Sequence, residues 1–137
     1  MLIAGACRGG QSDSSVEHVG ETITESVVSG KALDPFELTE SDPAVGQLAP
    51  SAFGVDLLTG ETVQITPVGR PLVVVFFAHW CPHCQREVAT LTEWLMANKL
   101  PTNVDLIAVS TFEAPERGNH PPEKWLSEQG WKHPVVA

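Results

Sequence analysis

The chain has 137 residues, one domain's worth at ~100–200 residues per domain, which excludes a large multidomain assembly. Hydrophobic residues make up 42% and charged residues 18%, too apolar for full disorder, and no apolar run reaches the ~18–20 residues a membrane-spanning helix requires. With 17 acidic and 8 basic side chains the net charge is −9, which argues against nucleic acid as a partner because phosphate binding relies on Lys and Arg.

Residues 1–7, Met-Leu-Ile-Ala-Gly-Ala-Cys, read as the tail of an export signal. Small residues directly before Cys7 resemble a bacterial lipobox, whose cysteine becomes a lipidated N-terminus; Ala4 stands where Leu is usual. The alternative is an incidental thiol at Cys7. Residues 8–43 read as an acidic flexible linker. Acids dominate there (Asp13, Glu17, Glu21, Glu25, Asp34, Glu37, Glu40, Asp42, against Arg8 and Lys31), Ser, Thr and Gly are frequent, and no apolar period persists. Such a segment buries too little surface to offset the entropy of ordering it. The competing reading is a short strand at Thr22–Val28, where β-branched residues cluster.

From Ala44 the pattern becomes that of a folded domain, 44–137. Apolar runs Phe53–Leu58 and Val63–Ile65, around Thr59-Gly60-Glu61-Thr62, predict a β-hairpin. Pro71–Ala78 is apolar at nearly every position and rich in β-branched residues, the pattern of a strand buried on both faces and central in its sheet. Cys84, Val88, Leu91 and Leu95 then share one helical face, with Asn98 and Pro101 as stop residues. Val104–Ser110 predicts a second buried strand. Pro121–Gln129 predicts a short helix closed by Gly130, and Pro134-Val135-Val136 opens another strand. Strand–helix–strand–helix–strand is an α/β layout with parallel pairs.

The chemistry sits where the apolar strand meets the first helix, at His79-Trp80-Cys81-Pro82-His83-Cys84. Two cysteines three apart at a helix start can close and reopen a small disulfide ring. Cys81 falls at or beside the N-cap, where unpaired N–H groups and the helix dipole favour its thiolate, the attacking species in thiol–disulfide exchange. Pro82 suits the first helical position. His83 is expected to add positive charge beside the thiolate and stabilise it, which makes the disulfide more oxidising. His79 reads either as an exposed loop residue or as a second tuner. Trp80 reads as a shield over the disulfide or as packing.

These residues resemble the thioredoxin superfamily over Ala44 to the C-terminus, about two thirds of the chain. Val45-Gly46-x-Leu48-Ala49-Pro50-x-x-Phe53, then Leu58-Thr59-Gly60-Glu61-Thr62-Val63, then the apolar strand into Trp80-Cys81-x-x-Cys84 look like the exported thiol–disulfide oxidoreductases of the TlpA/ResA type. The resemblance implies a thioredoxin-like α/β fold with an N-terminal β-hairpin, Cys81 as attacking and Cys84 as resolving cysteine, and Glu87 as a proton-transfer aid; a plain helix-dipole complement is the alternative for Glu87. It implies no cofactor or metal. It implies exported protein thiols or disulfides and a redox partner protein as partners, for a monomer outside the cytoplasm of a bacterium, anchored to the outer face of the cytoplasmic membrane through Cys7. The pattern departs from its relatives at Pro82-His83, which resembles the oxidising DsbA type, at Val75 in place of a buried acid, and at Ala89 in place of a helix proline. The cis-Pro loop, second hairpin and closing helix of relatives have no counterpart, which reads as C-terminal truncation and predicts that one edge of Pro71–Ala78 is unpaired.

Three rival functions stay open. A peroxiredoxin-like antioxidant shares the fold, but its cysteine follows a Pro-x-x-x-Thr-x-x-Cys pattern that Cys81 lacks. A metal site could recruit His79 and His83 to Cys81 and Cys84, although a second Cys or His pair is missing. A non-redox thioredoxin-like binding module is the third. Haem attachment is rejected because Gln85, not His, follows Cys84. Trp94, Trp125 and Trp131 are expected in the core or at its rim.

Overall fold

The computed structural model describes residues 26–37, 41–66 and 69–137. Cys7 and the export-signal reading lie outside them. Among the described residues, six strands and two helices follow in order: β1 (Val27–Ser29), β2 (Ser51–Val55), β3 (Thr62–Ile65), β4 (Leu72–Phe77), α1 (Pro82–Ala97), β5 (Asp105–Ser110), α2 (Pro122–Glu128) and β6 (Val135–Val136). β1, β2 and β3 form an antiparallel sheet in that order, and β4, β5 and β6 a parallel one. The mixed α/β layout is that of a thioredoxin-like fold with an N-terminal hairpin, as expected. Within the stretch read as linker, Val27–Ser29 pairs with Ser51–Phe53. It shares two residues with the competing strand Thr22–Val28, whose first part lies outside the described residues.

Local signals explain the elements that recur where expected. Gly60 at φ 75° turns the chain between β2 and β3, a conformation that costs a residue without Cβ nothing. Pro82 opens α1 without a missing hydrogen bond, and Asn98 closes it, its N–H and its side-chain amide both donating to the Trp94 carbonyl. Gly130, at φ 83°, follows α2. On the inner face, Cys84, Val88, Leu91 and Leu95 of α1 pack with Phe77, Leu106, Ala108, Trp125, Leu126, Trp131 and Val135. Trp125 and Trp131 are therefore core residues. Trp94 is 48% exposed, because it lies off the stripe defined by Val88 and Leu95.

The apolar strand β4 corrects the expectation of a central strand, whereas the expected unpaired edge is seen among the described residues. It is an edge strand, hydrogen-bonded along all six residues to β5 and to nothing on its other side among the described residues. Val73 is 46% and Phe76 68% exposed. The centre is occupied by β5, flanked on both sides and buried at Leu106, Ile107 and Ala108. Apolarity reports what a strand's side chains can cover, whereas its place in the sheet depends on pairing with distant residues.

Asp56 joins the two sheets. Its buried carboxylate accepts hydrogen bonds from the N–H of Val135 at 2.9 Å, the N–H of Leu58 at 3.2 Å and the hydroxyl of Thr59 at 2.8 Å. The N–H of Leu57 donates to the Val135 carbonyl beside it. The approach is close enough that a Cβ on Gly54 would lie 3.0 Å from Cβ of Val136.

Candidate active site

Parallel sheets bind ligands at the carboxyl ends of their strands, and the two cysteines stand there, beyond β4. Cys81 is the N-cap of α1, with φ −78° and ψ 119°. Its N–H donates to the Ala78 carbonyl at 3.0 Å, which closes the turn, and its carbonyl accepts from the Gln85 N–H at 2.9 Å, the first bond of the helix. Both cysteines are free thiols and half-buried.

The Cys81 thiol is held below its ordinary value of 9.0. The main cause is the backbone N–H of Cys84 donating to the sulfur; the Cys84 thiol donates as well, desolvation opposes, and the His83 N–H and the Arg86 charge assist. The His83 imidazole is not among these causes. Its Nδ1 lies 2.9 Å from the Arg86 guanidinium, which can donate to it. What reaches Cys81 from His83 is its backbone N–H, and the cation is Arg86, which composition alone did not single out.

Glu87 is the sixth residue of α1, beyond the first turn, so the dipole reading does not hold. It lines, with Cys84, Val75, Phe76, His83 and Arg86, a cleft of about 470 Å³ beside β4. A larger cleft of about 730 Å³ involves Arg70, Pro101 and Asp105 at the start of β5, away from both cysteines.

His79 is completely buried, so the exposed-loop expectation for it does not hold, and it is not among the causes that lower the Cys81 thiol. Its Nδ1–H donates to the Gly118 carbonyl at 2.9 Å and its Nε2 accepts from the Ala114 N–H at 3.1 Å, the pattern of a neutral ring with its proton on Nδ1. The His79 carbonyl accepts from the side-chain amides of Gln85 at 2.8 Å and Asn119 at 3.2 Å. With both nitrogens committed, His79 has none left for a metal. Among the described residues no three His, Cys, Asp or Glu side chains are grouped to hold one.

His79 thus pins residues 111–120, the loop after β5, against the turn that carries Cys81. Trp80 completes the attachment: its indole N–H donates to the Phe112 carbonyl at 2.7 Å, and Arg117 lies 4.3 Å over its ring. Trp80 is thus packed against this loop. The roles of Phe112 and Arg117 had no sequence signal, since they lie more than thirty residues from the turn they touch.

Comparison with protein families matches the AhpC/TSA family over residues 45–137, more than half of the chain. Comparison with curated proteins and with solved structures gave no match. The match extends from just before the β2–β3 hairpin through the cysteine turn to β6, and with it the chain belongs to the AhpC/TSA family, thiol-based redox proteins of thioredoxin-like fold.

Proposed function

We propose that the protein is a thiol–disulfide oxidoreductase of the TlpA/ResA kind, acting through Cys81-Pro82-His83-Cys84 on exported proteins. One observation carries the reading: the Cys84 N–H and thiol are both directed at the Cys81 sulfur, which stabilises its thiolate and puts a resolving thiol within reach. The Cys81 thiolate attacks a substrate disulfide, forms a mixed disulfide and releases the first substrate thiolate. Cys84 loses its proton to Glu87, which lines the same cleft, and attacks the Cys81 sulfur. The second substrate thiol leaves, and the Cys81–Cys84 disulfide holds the two electron equivalents given up. In reverse, the oxidised pair donates its disulfide to a substrate dithiol. A location outside the cytoplasm, with Cys7 lipidated and an acidic tether behind it, agrees with such substrates.

A second reading, a peroxidase, draws on the family match itself. Against it, Val74 and Ala78 occupy the proline and threonine places of the Pro-x-x-x-Thr-x-x-Cys pattern, so no hydroxyl three residues before Cys81 can hold a peroxide. The test compares substrates on the reduced protein. We expect rapid exchange with protein disulfides, a stable mixed disulfide on Cys81 in Cys84→Ser, and none in Cys81→Ser. Faster oxidation by hydrogen peroxide, with sulfenic acid on Cys81 of Cys84→Ser, would instead establish the peroxidase.

A further inference from the structure

Phe112 lies in the loop after β5 and projects from the protein surface at a cost. Its side chain is 82% exposed, the most exposed of the large apolar side chains, among the described residues. Its φ is 52°, in the left-handed region that disfavours a bulky residue carrying a Cβ. The conformation is held from both sides. Before it, the N–H and hydroxyl of Thr111 both donate to the Phe77 carbonyl, at 2.8 and 3.1 Å. Its own carbonyl accepts from Trp80, the neighbour of Cys81, and beyond it the loop is clamped by the buried His79 at Ala114 and Gly118. Every one of these anchors lies on residues 77–80, the approach to the attacking cysteine. An exposed aromatic ring needs no such support to remain in solvent. Held by it, Phe112 stands at the same carboxyl end of the sheet as Cys81, where a substrate disulfide must dock.

From this arrangement we infer that Phe112 is a specificity-determining residue: it receives an apolar side chain next to the cysteine of an extended polypeptide substrate. The inference rests on the disulfide-exchange reading and deepens it by giving the substrate class, incompletely folded chains whose cysteines are flanked by apolar residues. Such neighbours are buried once folding is complete, so the same contact separates unfinished from finished proteins. Through its bonds at Ala114 and Gly118, His79 holds the loop that carries Phe112.

Two synthetic peptides test it, each joined to glutathione by a disulfide, one with Leu on both sides of its cysteine and one with Ser. Reduced full-length protein converts either to peptide thiol and glutathione as Cys81 and Cys84 become a disulfide, so electrons and protons balance. The rate constant is read by quenching and thiol alkylation. The wild type is expected to prefer the Leu peptide about tenfold, the scale of a single apolar group at a recognition site. Phe112→Ala is expected to bring the ratio close to one, and Phe112→Leu to keep most of it. A wild-type ratio near one, or an unchanged ratio in Phe112→Ala, overturns the inference. Failure of the wild type to react with either peptide overturns the exchange reading itself, and the inference with it.

Discussion

The lowering of the Cys81 thiol owes more to hydrogen bonds than to neighbouring charge, and the order of causes is open to test. Its thiol is lowered first by donors on Cys84 and last by the Arg86 guanidinium. A thiol reacts as its thiolate, so alkylation of Cys81 accelerates as pH rises through its own titration. Because that titration is lowered, the midpoint falls below 9.0, and at neutral pH Cys81 outpaces an ordinary thiol. Replacing Cys84 by Ala removes the thiol donor while leaving the backbone N–H, and is expected to raise the midpoint. Arg86→Gln is expected to raise it less. Rates of alkylation against pH in the three proteins check the order; a larger effect of Arg86→Gln would mean that Coulombic attraction dominates.

The elements show what a sequence displays and what it hides. Helix α1 is legible because its stripe, its proline start and its asparagine end are all local, and the hairpin is legible from the turn residues between β2 and β3. The same locality makes Cys81, Pro82 and Cys84 readable as a redox turn. Strand β4 is misleading because its apolar side chains state nothing about which edges are paired. The loop after β5 is silent because its anchors are long-range: His79 to Gly118 spans 39 residues and Trp80 to Phe112 spans 32. Asp56 is equally silent, an ordinary turn acid by sequence whose carboxylate binds Val135, 79 residues on. Asp56→Ala leaves buried N–H groups of the hairpin turn and of β6 without acceptors, which predicts a loss of about 2–4 kcal/mol in urea unfolding. Asp56→Asn keeps one oxygen and is expected to lose less. Equal stability of all three would show that the two sheets associate without this staple.

Across the whole molecule, the antiparallel hairpin sheet, the parallel sheet and the two helices share one purpose in positioning the turn at the end of β4. The hairpin is stapled to β6 through Asp56 and Leu57, β6 pairs with β5, and β5 supports β4 along its full length. The Cys81 turn is then fixed from behind by α1 and from the side by the His79-clamped loop. Both cysteines remain within reach of a partner, and the strand edge beside them is open among the described residues. Family membership sets the chemistry as thiol-based redox, and disulfide exchange through the paired cysteines is the activity proposed for it.

The most direct test of that claim is the redox equilibrium of the reduced protein in glutathione buffers, read by thiol alkylation and mass spectrometry. A reversible two-electron couple between Cys81 and Cys84 is expected. Because the lowered Cys81 thiol stabilises the reduced form, the couple is expected to become less oxidising, its potential more negative, in Arg86→Gln, which withdraws one cause of that lowering. A potential that is unmoved or raised in Arg86→Gln would contradict the thiolate argument, and the absence of any reversible Cys81–Cys84 disulfide would contradict the central claim.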